Sequence, residues 1–137
     1  MSYEQTANAY RQNAILSTSR EQLVPLLYEH LLVSLRRASN QIASKDIEGK
    51  AASVEKASAI LYELLGSLDH GAEDELASRL ASLYTYFLQE LGEASRHLDA
   101  KRLGPLIEMV SSLHESWVEA ANLVARQQEA GEARSSA

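Results

Sequence analysis

Cysteine is absent from the 137 residues, which excludes disulfide staples, thiolate zinc sites and thiol catalysis. Long hydrophobic runs are missing too: nothing approaches the ~20 apolar residues of a membrane span. The opening MSYEQTANAY has no basic stretch followed by an apolar one. The expectation is a cytoplasmic protein without membrane insertion. Basic charge is scarce, with 13 Lys and Arg against 19 Asp and Glu and a net charge of -6. Such a surface disfavours a phosphate backbone, so no nucleic acid partner is expected. Phe and Trp occur once each, leaving six tyrosines as the main aromatic supply.

What remains is an ordinary globular composition, 45% hydrophobic, in a chain long enough for one domain that buries roughly two thirds of its unfolded surface. The hydrophobic pattern is helical throughout. In TSREQL, Thr18 with Glu21 and Ser19 with Gln22 have capping-box spacing, so a first helix is expected over about 20–43. Its stripe is Leu23, Leu27, Leu31, Leu35, Ala38 and Ile42. Pro25, past the first turn, removes one helical hydrogen bond and should distort the helix locally.

SKDIEGK interrupts the pattern, and a second helix follows over about 50–68 with Ala57, Ile60, Leu61, Leu64, Leu65 and Leu68 on one face. DHGAED, with Gly71, reads as a turn. A third helix over about 73–98 carries Leu76, Leu80, Leu83, Phe87, Leu91, Ala94 and Leu98. A fourth begins at the candidate cap Asp99 or restarts at Pro105, with Leu103, Leu106, Ile107, Val110, Leu113, Trp117, Ala121 and Val124 as its stripe.

Four stripes joined by short connections close most simply as an all-α, elongated antiparallel four-helix bundle. Residues 19–127 form this domain. Residues 1–18 are a mobile segment able to dock as a short helix, and 128–137 a disordered tail.

The first helix holds more apolar side chains than one stripe needs: Val24, Leu26, Tyr28, Leu32 and Val33 point elsewhere. Tyr84 and Tyr86 lie on nearly opposed sides of the third helix, and Tyr62 adds an aromatic to the second. Buried apolar side chains contribute roughly 1.5–3 kcal/mol each before ordering costs, so such a surplus suits capture of an amphipathic segment.

Enzyme chemistry finds little support. His30, His70, His97 and His114 do not make the paired Glu-x-x-His pattern of a two-metal bundle; Glu93 and His97 read as a surface ion pair. No phosphate-binding glycine loop or catalytic triad pattern is present. No enzyme, cofactor or metal is expected.

The order of several blocks is more specific than any one of them. Tyr10 and Asn13 in AYRQNAILSTSREQL are followed by Leu27, Tyr28 and Ala38 in LLYEHLLVSLRRA. Lys56, Ala57, Ile60, Leu64, Leu68 and Asp69 follow in EKASAILYELLGSLD. Then come Leu80, Leu83, Tyr84, Tyr86 and Leu91 in LASLYTYFLQEL, and Trp117, Glu119 and Ala120. Over about residues 3–124 this resembles the flagellin-specific export chaperone family, commonly called FliS. The chain departs from the family pattern at Pro25, His30, HGAED and LGP.

The resemblance implies a helical chaperone that binds the C-terminal segment of flagellin, holds it back from polymerising and keeps it fit for type III export. Further partners would be an export gate component or flagellar regulators. The expected client groove comprises Leu27, Tyr28, Leu31 and Leu32, with Tyr62, Leu65, Tyr84 and Tyr86; Tyr10 and Ile15 are expected to cover it in the free protein. The same apolar surplus also permits an alternative, a dimeric helical adaptor held together as a homodimer.

Overall fold

The structure is a computed structural model that describes residues 20–68 and 75–135. Among these residues there are four α-helices and no strand: α1 (Arg20–Ala43), α2 (Ile47–Gly66), α3 (Glu75–His97) and α4 (Leu103–Ser135). A short 3-10 turn, Ala100–Arg102, leads into α4. The all-α bundle expected from the hydrophobic pattern is the fold that forms. The Thr18 and Ser19 caps and the DHGAED turn lie outside the described residues.

α1 runs through Pro25 without a break. It lies close along both α2 and α4, α2 lies along α3, and α3 and α4 approach each other only sparsely. α1 is therefore flanked on two sides and faces the core on a third. That placement explains its surplus: Leu27, Tyr28, Leu31, Leu32, Leu35, Ala38 and Ile42 are all buried. Val24 and Leu23 pack at the core's edge, and Val33 is exposed.

The two hairpins close with the same device. After α1, Lys45 adopts a left-handed φ of 60° and the Asp46 N–H donates to the Gln41 carbonyl at 2.8 Å. After α3, Leu98 adopts φ 50° and the Asp99 N–H donates to the Ala94 carbonyl at 2.9 Å. Each left-handed residue turns the chain while the bond behind it satisfies a terminal carbonyl. Each following aspartate then caps what comes next. Asp46 accepts from the Gly49 N–H at 3.0 Å and Asp99 from the Lys101 N–H at 3.1 Å.

Gly49 leaves room for the Asp46 and Gln41 side chains. A side chain at this position would collide with the Asp46 carboxylate and come within 2.7 Å of the Gln41 amide. With its amide nitrogen toward α2, Gln41 places its two N–H hydrogens among three acceptors: Ser53 Oγ at 2.7 Å, the Gly49 carbonyl at 2.9 Å and the Arg37 carbonyl at 3.0 Å. One side chain thus ties the end of α1 to the start of α2. Lys50 Nζ donates to the Ser95 carbonyl at 3.2 Å, placing a cation where the α3 dipole is negative.

On α3 the buried positions are Ala77, Leu80, Tyr84, Phe87, Leu91 and Ala94, a regular three-and-four series. It corrects the expected stripe at both ends. Leu76 is exposed beside the buried Ala77, and Leu98 is exposed in the turn that its left-handed φ makes, while Leu83 is half-buried and Tyr84 takes the central place.

α4 corrects the expected tail. It continues through Ser135, so 128–135 is helical where a disordered tail was expected. Gln, Glu, Ala and Arg dominate this stretch and favour helix without packing. The contact between Tyr28 and Trp117 sets the antiparallel register of α1 and α4, so Arg20 lies level with about residue 125. Residues 126–135 extend past the first turn of α1 by ~15 Å at 1.5 Å per residue, and each of them is exposed.

Candidate functional site

Three helices meet at a row of aromatic rings. Trp117 of α4 lies 6.4 Å from Tyr28 of α1, between ring centroids, and Tyr28 lies 6.4 Å from Tyr84 of α3. Tyr84 is 6.5 Å from Phe87, and Phe87 is 6.2 Å from Tyr86. All four pairs are tilted, the arrangement that aromatic quadrupoles prefer. The row runs from half-buried Trp117 through the buried core to Tyr86, which is 44% exposed.

At its centre the hydroxyls of Tyr28 and Tyr84 are hydrogen-bonded at 2.6 Å. Burial pushes the Tyr28 phenol above its usual range, against the pull of its hydrogen bonds with Tyr84 and Trp117. Burial raises Tyr84 as well, and its bond to Tyr28 raises it further. Both phenols keep their protons at physiological pH, so the pair is neutral and its role is structural.

The structure divides the expected groove residues into two groups. Leu27, Tyr28, Leu31, Leu32 and Tyr84 are buried core, so these five are no open groove; α1 owes its apolar breadth to its several neighbours. Tyr62, 62% exposed, and Tyr86 do face outward, and Leu65 is half-buried. Tyr62 belongs to α2 and Tyr86 to α3, on different sides of the bundle from the row's buried centre. Tyr10 and Ile15 lie outside the described residues.

A different surface emerges at the α3–α4 seam. Arg102, at the entry to α4, pairs with Glu90 of α3 at 3.5 Å, which marks the side of α3 that faces α4. Leu83 and Tyr86 sit seven and four residues before Glu90 and project from that same side. Level with them on α4 are Leu113 and Trp117, both half-buried and packed against the core without being closed over. The Leu83 and Leu113 positions were visible as stripe residues, but their pairing depended on the helix order, which periodicity does not encode.

Charge is modest around the seam. At its turn end, Glu93 pairs with Arg96 and with His97 at 3.1 Å. Arg96, and secondarily His97, hold the Glu93 carboxyl below its usual range. The expected Glu93–His97 surface pair is therefore present. Among the described residues no group of three His, Asp or Glu side chains is placed to hold a metal, and no helix is long and apolar enough to cross a membrane.

The family model for the flagellar protein FliS matches residues 3–124. This chain belongs to the FliS family. Its similarity to the flagellar secretion chaperone FliS of Campylobacter jejuni is 35% identity over 115 residues, covering 84% of this chain and 90% of that protein. The Escherichia coli protein of the same name is 31% identical over 109 residues, covering 79% and 80%. The Bacillus subtilis one is 27% identical over 120 residues, covering 88% and 89%. A solved bacterial flagellar chaperone shares the fold at TM-score 0.70 and 18% identity, over 87% of this chain and 97% of that one. The chain is thus a FliS-type export chaperone by family, and the aromatic row and the seam lie within the matched span.

Proposed function

We propose that this FliS-family chain binds the C-terminal segment of flagellin in the cytoplasm, holds it back from premature polymerisation and keeps it competent for flagellar type III export. One observation carries the reading: apolar side chains outside the closed core, Leu83, Tyr86, Leu113 and Trp117, border a seam between helices that scarcely touch. A client segment that later packs inside a filament has apolar faces of its own. Laid along the seam as an amphipathic helix, it buries those faces and the seam together, ordering as it binds. No bond is made or broken; the work is reversible cover.

Calorimetric titration tests this with purified chain and flagellin carrying or lacking its C-terminal segment, alongside circular dichroism. One-to-one submicromolar binding with a gain of helix is expected for the intact client only. Tyr86→Ala should weaken binding by about tenfold, as removal of an aromatic anchor does. Equal affinity for both forms of flagellin would overturn the proposal.

A further inference from the structure

We infer that Tyr28 and Tyr84 form a strut that sets the width of the α3–α4 seam, making them positioning residues for whatever the seam holds; the functional side of the inference rests on the reading above. α3 and α4 approach only sparsely, so their own contacts do not fix their separation. Tyr28 touches both walls. Its ring lies against Trp117 of α4, and its hydroxyl is bonded at 2.6 Å to Tyr84 of α3. From Tyr84 the contact passes through Phe87 to Tyr86 at the seam's edge. The two sides of the seam are thus held apart, and held together, through the helix behind them.

Hydroxyls suit this better than methyl groups. Apolar surfaces slide over one another at little cost, whereas a hydrogen bond is limited in length and direction. Once buried, neither hydroxyl can be left unpaired without a desolvation penalty, and among the described residues no buried side-chain polar atom is unsatisfied. Replacing both hydroxyls with hydrogen in the same shape is nearly neutral for stability. The pair therefore specifies a distance more than it stabilises the fold.

The absence of cysteine makes the distance measurable. Ser82→Cys and Glu119→Cys introduce spin labels on exposed positions of α3 and α4, level with each other. Double electron–electron resonance then reads the separation in the otherwise native chain and in Tyr28→Phe, Tyr84→Phe and double-Phe backgrounds. A narrow distribution is expected in the first and broadened ones in all three variants, with flagellin affinity lowered about fivefold, the worth of one hydrogen bond. A pair with a merely structural role would shift the melting temperature while leaving the distribution and the affinity unchanged, and that result overturns the strut. If the unsubstituted chain fails to bind flagellin while the distances still respond, the strut stands and the client reading falls.

Discussion

The two helical hairpins turn with the same left-handed residue and aspartate cap, yet they pack in opposite ways. Small side chains sit where α1 meets α2: Ser34, Ala38, Ser53 and Ala57 are all buried, and Gly49 lies under the Gln41 amide. Interaxial distance follows the side chains at the contact, so these helices come close along their length. Between α3 and α4 the corresponding positions carry Leu83, Phe87, Leu113 and Trp117. The first hairpin is clasped and the second is propped. Turn geometry fixes where a hairpin reverses; residue size decides whether its legs close.

The sharpest way to break the comparison is to enlarge a side chain on each side. Ala57→Leu forces bulk into the clasped interface and should cost about 2–3 kcal/mol, read by urea unfolding. Leu83→Phe at the propped seam should cost less than ~0.5 kcal/mol. Similar losses at both sites would erase the distinction.

Alkaline unfolding follows in size. Tyr28 and Tyr84 hold their protons in the folded chain above the pH at which they lose them unfolded. The folded state then binds more protons, so stability is intact below pH ~10 and falls above it, by up to ~1.4 kcal/mol per pH unit for each tyrosine. Denaturant titrations between about pH 8 and 11.5 should show this slope. The slope should diminish by one tyrosine's share in Tyr28→Phe; no change would mean that the phenol is not shielded.

Gly49→Ala comes next. It gains helix propensity but displaces the Asp46 cap and the Gln41 amide, for a net loss of about 1 kcal/mol. Hydrogen exchange should show the loss concentrated at the first hairpin. Smallest of all is removal of residues 126–135, which are exposed throughout and contribute nothing to the buried core. Stability should change by less than ~0.5 kcal/mol, while circular dichroism loses about ten residues of helix. A larger fall would show that the projecting turns brace one hairpin after all.

Helix number and the α1 limits were legible because apolar spacing and turn residues act locally. The start of α2 moved three residues earlier, since Asp46 caps the helix before the apolar pattern begins. The site was less legible for a geometric reason. Tyr84 and Leu83 are neighbours in sequence, and either continues a stripe; only the position of α1 and α4 decides which one faces inward. Leu27, Leu31 and Leu32 read as surplus because a helix viewed alone does not reveal that it has several neighbours. That one of Tyr84 and Tyr86 must face outward was legible from their nearly opposed positions; which one was not, because that depends on where the neighbouring helices lie.

Trp117 has a use of its own. As the only tryptophan, half-buried and beside Tyr28, it gives the chain a single native fluorophore at the seam. Light absorbed by the tyrosine row drains to one indole, whose emission colour follows how wet its surroundings are. Filling or opening the seam becomes a spectral event in an unlabelled molecule, slow or fast, at whatever dilution a photon counter can read.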